Sequence, residues 1–137
     1  MDFSGFNWGE VFVAALSAFL LGGLWFGPLF GKRWQALNRL SVDVSVNTPM
    51  AMIYGLTFAL NIFLATMMSF FIEIAMMIGS GVLTGALFGG FLAVIFVLPA
   101  FAINYLFARK PLALFAIDIG YWVLQFSLMG AIMGAWV

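Results

Sequence analysis

Neither cysteine nor histidine occurs in the 137 residues of the chain. Their absence excludes thiolate nucleophiles, imidazole bases, disulfides, His-ligated haem and the usual ligands of a zinc site. Charge is nearly as scarce, at 7% of residues, where ordinary soluble domains carry roughly a quarter. Five basic and five acidic side chains cancel, so there is no basic face with which to hold nucleic acid. What remains is 66% hydrophobic and 18% aromatic, with a mean hydropathy of +1.18. A soluble fold of this size would expose much of that surface to water, whereas a lipid bilayer accepts it on every outward face. The composition therefore predicts an integral membrane protein whose first partner is the bilayer, without cofactor or metal. The nine methionines are read as gap-filling side chains, since no Cys or His accompanies them.

Four stretches are apolar over about 20 residues, enough at about 1.5 Å per residue to cross a hydrocarbon layer roughly 30 Å thick. They run from Val11 to Phe30, Met50 to Ile72, Val82 to about Phe107, and Leu112 to about Trp136. Asn47-Thr48-Pro49, Gly79-Ser80-Gly81 and Arg109-Lys110-Pro111 punctuate the gaps. With these ends included, the expectation is a single all-α transmembrane domain over residues 1–137, with helices at about 9–30, 49–76, 81–108 and 111–136. The longest connection, Gly31 to Thr48, sets Trp34, Leu37 and Leu40 beside Lys32, Arg33 and Arg39. An interfacial helical turn and a plain solvated loop both fit it. Asp2 and Glu10 stand where a cleavable leader would carry Lys or Arg, so the N-terminus is expected to stay on the mature chain. All five cations fall in the connections at 31–48 and 108–111. The positive-inside rule puts those loops in the cytoplasm and both termini outside. The expected architecture is thus an integral membrane four-helix bundle of two tandem outside-in-outside hairpins, in the cytoplasmic (inner) membrane.

Lipid is as apolar as Leu, so helices within it associate by close backbone approach over rows of small residues. Gly23, Gly27 and Gly31 form one such row, Gly81, Gly85 and Gly89 a second, and Gly130 and Gly134 a third. All are read as helix packing, the second row continuing on nearly the same face through Ala93 and Ala100 to Asn104. Pro28 leaves the carbonyl of Leu24 without its helical donor and Pro99 does the same to Ile95, so the first and third helices are expected to break there.

One acid lies deep in a spanning segment. Asp118, in Phe115 to Trp122, is eight residues past Lys110, about 12 Å along a helix. Lipid exposure of an aspartate at such depth costs roughly 2.5–3.5 kcal/mol, so it should face the interior. With no cation in any spanning segment to oppose desolvation, a largely protonated Asp118 that donates a hydrogen bond is expected. Helical spacing puts Gln125 on its face, with Trp122 and Tyr121 beside it. Tyr54, Thr57 and Asn61 make a polar stripe on the second helix, and Asn104 and Tyr105 lie at a similar depth on the third. Tyr54, Asn61, Asn104, Asp118 and Gln125, with Tyr121 and Trp25 close by, are expected to form one interior polar network.

The stretches "LLGGLWFGPLFGKRW" and "INYLFARKPLALFAIDIGYWVLQFSLMGAIMGAW" resemble the small bacterial membrane proteins of the family domain of unknown function 1761. The first is similar to that family's pattern at Gly23, Leu24, Trp25, Phe26, Pro28, Phe30, Gly31, Lys32 and Trp34. The second is similar in its Asn and aromatic end of the third helix and at Asp118, Gly120, Tyr121 and Gly130. The resemblance implies four crossings and a bacterial source; it brings no activity and so no catalytic residue.

No catalytic residue is expected from the residues themselves either. Intramembrane serine proteolysis would want a His and aspartyl proteolysis a second embedded Asp. Two functions stay in view: a non-catalytic structural or accessory membrane component, which is favoured, and a small homo-oligomeric transporter or channel for a proton or small polar solute that uses Asp118. Either one implies further copies of the chain or a larger membrane partner.

Overall fold

The computed structural model of the protein describes residues 6–39 and 49–136, and within them every regular element is helical. Leu40 and the expected cap at Asn47 and Thr48 lie outside the described residues. Helix α1 (Trp8–Leu24) starts at Asn7, whose Oδ1 accepts the backbone N–H groups of Gly9 at 3.1 Å and Glu10 at 3.3 Å, satisfying two donors that a helix start leaves unpaired. It runs into a wide, π-type turn at Trp25–Leu29 and then into α2 (Gly31–Arg39). After the gap come α3 (Met50–Met76), α4 (Val82–Leu92), a second wide turn at Ala93–Val97, α5 (Leu98–Ala108) and α6 (Leu112–Trp136). Four spans, Trp8–Leu29, Met50–Met76, Val82–Ala108 and Leu112–Trp136, are long and apolar enough to cross a membrane.

Both prolines sit where the helical ladder changes pitch. Pro28, inside the first wide turn, has no N–H to give, and Phe30 reaches back five residues to the Trp25 carbonyl at 2.8 Å. Pro99 occupies the first turn of α5, where its missing donor costs nothing, and the irregular residues lie just before it. Each wide turn inserts about one extra residue, which rotates the helix beyond it by about 100° relative to a straight continuation.

The closest contact in the molecule is α4 against α6. A methyl group added to Gly85 would strike the carbonyl of Gly130, one on Gly89 the carbonyl of Phe126, and one on Gly130 the carbonyl of Gly85. One on Gly134 would lie 2.5 Å from the carbonyl of Gly81. Gly81 also turns the chain into α4 with φ +98, a conformation that L side chains rarely adopt. Gly23 and Gly27 meet no other helix of this chain among the described residues, since an added Cβ at either would meet nothing within 4 Å; packing against a second copy was the other form of the expectation. Equal spacing in sequence does not suffice, because a row works only where another helix crosses it. Gly31 is buried, but its close neighbour is the Phe26 carbonyl of its own turn rather than another helix.

Helices α1 and α3 pack beside this pair over one half of their length. The buried residues of α1 end at Ala18, and those of α3 begin at Asn61. The small side chains of Ala14, Ala15, Ala18 and Ala65 lie in the core with Met68, Met129 and Met133. Beyond that level neither α1 nor α3 has a fully buried residue, although Phe19 still meets Phe58 and Tyr54 edge-on, and no residue of α5 is fully buried. The bundle is therefore tight at the end formed by Trp8, Met76, Val82 and Trp136 and open at the end that carries Lys32, Arg33, Arg109 and Lys110.

Gly85→Leu and Gly130→Leu are expected to destabilise the fold by more than about 3 kcal/mol, because backbone rather than a flexible side chain would have to move. Gly23→Ala and Gly27→Ala should leave stability unchanged or raise it by about 0.5–1 kcal/mol. Unfolding titrations in mixed micelles, followed by helical circular dichroism, measure both; a Gly85→Leu protein as stable as the parent chain would refute the backbone contact.

Candidate functional site

The residues around Asp118 come from four helical elements. Asp118 is half-buried on α6, and its Oδ1 accepts the indole N–H of Trp34, on α2, at 2.9 Å. Its Oδ2 accepts the hydroxyl of Tyr105, on α5. At the preceding residue, the indole N–H of Trp25 donates to the carbonyl of Ile117 at 3.1 Å. Gly120 makes room for that ring, since a Cβ there would stand 3.1 Å from it. Tyr121 donates to the carbonyl of Ala18 at 3.4 Å, and its ring meets Phe26 edge-on with centroids 4.9 Å apart. The Phe26 ring in turn lies against Trp34, at 5.4 Å. The wide turn at Trp25–Leu29 thus delivers two aromatic rings and the following α2 onto one face of α6. The two stretches that carried the family resemblance meet here.

This arrangement departs from the expected network in its partners. Oδ1 of Asp118 faces an indole N–H, which can only donate, and Oδ2 faces the hydroxyl of Tyr105. Its partner on α5 is Tyr105, while Asn104 is exposed. The cause is the second wide turn: the extra residue shifts the helical phase by about one position, so 105 takes the place that 104 would hold on a straight helix. Tyr54 is also exposed, its ring packed edge-on against Phe19 of α1 rather than near Asp118.

Asn61 and Gln125 come together, but as a separate pair about two turns from Asp118 toward the tight end. Gln125 Nε2 donates to Asn61 Oδ1 at 3.0 Å. Asn61 Nδ2 and Gln125 Oε1 have no protein partner although both atoms are buried. Asn61, but not Gln125, borders a wedge of about 790 Å³ between α1 and α3, backed by Tyr121 and Trp122 of α6 and with Tyr54 and Thr57 along its side. A smaller recess of about 360 Å³ lies at the α5–α6 turn beside Tyr105, Arg109 and Lys110, and the Lys110 ammonium is 5.1 Å from the centre of the Tyr105 ring.

Residues that matter were missed from the sequence. Trp34 lay in a connection open to two conformations. Glu10 was read only as an acid near the N-terminus, and it is buried and accepts the hydroxyl of Ser69 at 2.8 Å. A signal existed: Glu10, Ala14 and Ala18 recur at i, i+4 on one face, as do Asn61, Ala65 and Ser69. Among the described residues, no three of His, Cys, Asp or Glu gather where a metal ion could be held.

The class these features define is an all-helical protein with four helices long and apolar enough to span a membrane, and with an acid clamped between three of its segments. Residues 10–134 match the model of the family described as "Protein of unknown function (DUF1761)", and the chain belongs to that family. No curated protein and no solved structure matches the chain.

Asp118→Ala strands the Trp34 and Tyr105 donors and is expected to lower unfolding stability by about 1–3 kcal/mol. Asp118→Asn, which still offers an oxygen to Trp34 and a group to pair with Tyr105, should restore most of that loss. The same unfolding titration reads both variants, and an Asp118→Ala protein of unchanged stability would show that the clamp holds nothing.

Proposed function

We propose that this protein is a non-catalytic, multi-pass component of the bacterial cytoplasmic membrane, with a structural or accessory role beside further copies of itself or a larger membrane protein. The observation that carries this is the engagement of Asp118. Its two oxygens are taken up by Trp34 and Tyr105, and it lies on the wall of neither cavity. A carboxyl held in that way ties α2 and α5 to α6, and buried networks of this kind set a unique arrangement of helices. A transporter working through Asp118 would want it facing a water-filled path. The outward side chains, among them Leu60, Leu83, Leu87 and Phe107, are large, apolar and exposed, which suits lipid and not water. In the bilayer the cationic loops at 31–48 and 108–111 face the cytoplasm, and both termini and the α3–α4 turn face outward.

Two measurements test the proposal. Proteoliposomes holding the protein and a pH-sensitive dye should leak protons no faster than empty vesicles; a leak that Asp118→Asn abolishes would replace the structural role with transport. The chain has no cysteine of its own, so single cysteines report topology cleanly. Ile78→Cys, in the α3–α4 turn, should react with an impermeant maleimide on intact cells, and Lys32→Cys only after lysis. The reverse pattern would invert the orientation.

A further inference from the structure

The α5–α6 turn sets two cations beside an apolar recess. We propose that this recess binds a phospholipid of net negative charge, its headgroup phosphate between Arg109 and Lys110 and the start of an acyl chain against Leu106, Leu112 and Phe115. The inference rests on the membrane crossing proposed above and is independent of the role given to Asp118.

Helix α5 ends with the amide of Arg109 bonded to the Leu106 carbonyl at 3.3 Å and that of Lys110 to the Tyr105 carbonyl at 3.1 Å. Such a double closure puts the first residue past the helix in the left-handed region, where glycine is the usual choice. Arg109 stands there instead, at φ 52, the one residue other than glycine with a positive φ among the described residues. An L side chain is strained in that conformation. The backbone asks for glycine at 109, and the guanidinium is what arginine adds.

Neither cation has an acidic partner among the described residues. Glu10 and Glu73 lie toward the tight end, and the Asp118 oxygens face Trp34 and Tyr105. The Lys110 ammonium lies 5.1 Å from the centre of the Tyr105 ring, a contact that gives none of its three N–H donors an oxygen. Both cations line the recess, and the 25-residue α6 begins there with the positive end of its dipole. A phosphate diester suits the pair, since arginine binds two of its oxygens side by side and lysine serves as a point charge.

The walls favour a lipid over a free anion. Leu106 and Leu112 are 76% and 79% exposed and Phe115 is half-buried, so an apolar wall stands beside the cations that a free phosphate would leave uncovered. A molecule anionic at one end and apolar along the rest covers both. A volume of about 360 Å³ is at the low end of the roughly 300–1,000 Å³ of small-molecule sites, room for the headgroup end of a lipid whose chains continue into the bilayer. Basic recesses between helix ends on the cytoplasmic side bind anionic headgroups, and that is the side proposed for this turn. Lys32 and Arg33, at the same end, are exposed but do not line the recess.

The test uses the full chain in micelles of a neutral detergent. The probes are phosphatidylglycerol and phosphatidylcholine with the same chains at equal mole fraction, and inorganic phosphate alone. Binding is read from the rise in the thermal unfolding midpoint. Phosphatidylglycerol should bind about tenfold more tightly than phosphatidylcholine, and inorganic phosphate should give no rise. Arg109→Gly with Lys110→Gln should bring the lipid ratio to about one. Lys32→Gln with Arg33→Gln removes the same charge and should keep most of the tenfold. Arg109→Gly alone relieves the positive φ, so without lipid it should melt no lower than the parent chain, and it should cut the ratio about threefold. That variant keeps the test decisive if the double one does not fold. Equal affinities for the two lipids, or a ratio unchanged in Arg109→Gly, would overturn the proposal. An equal loss in both double variants would reduce the effect to diffuse attraction between charges, and a matching rise with inorganic phosphate would make the recess a site for a soluble anion. A chain that stays dissolved once detergent is removed would overturn the membrane crossing itself, which equal lipid affinities would leave standing.

Discussion

The backbone of α4 lies directly against that of α6, glycine facing carbonyl, and the other helices are arranged around that contact. Between helices surrounded by lipid, burying Leu against Leu gains little, because the lipid was as good a neighbour. What is left is dispersion, about 0.1–0.2 kcal/mol for each well-placed atom pair, and it accumulates only when surfaces come close. Gly85, Gly89, Gly130 and Gly134 permit that closeness. Beside them Ala14, Ala15, Ala18 and Ala65 bring in α1 and α3, with Met68, Met129 and Met133 filling the irregular spaces between.

The rest of the chain depends on where this tight packing stops. Glycine and alanine line the contacts at the Trp8 end, and wide turns interrupt the first and third spans where the packing loosens. There no residue of α5, or of the facing ends of α1 and α3, is fully buried. The open half is held by directed bonds instead of close surfaces. Trp25, Trp34 and Tyr105 bond to α6 at two adjacent residues. Buried polar groups follow the same division: Glu10 and Ser69 satisfy each other in the tight half, while Asn61 and Gln125, at the boundary, satisfy each other only in part.

The four spans were legible because their signal is composition over some twenty residues, which a local irregularity does not erase. The glycine rows of the third and fourth spans were equally legible. The first row looked the same, but among the described residues no other helix crosses Gly23 and Gly27, because a partner is a property of how helices cross. Asp118 was recognisable from its depth, but its neighbours were not. Tyr105 replaces Asn104 through one extra residue in a turn a dozen positions earlier, and Trp34 arrives from a segment whose sequence fitted helix and loop alike. Glu10 shows the opposite failure, since its i, i+4 spacing with Ala14 and Ala18 was present and was not read as a buried face.

From the sequence alone came the number of spans, their limits to within a few residues, the absence of thiol and imidazole chemistry, the family, and the presence of one deep acid. These follow from which side chains exist and how far apart they stand along a helix. Only the tertiary structure decided which glycines touch another helix, what holds Asp118, and that Asn61 and Gln125 pair with each other in the interior. Those depend on the rotation of each helix about its axis, and a single inserted residue turns that by about 100°.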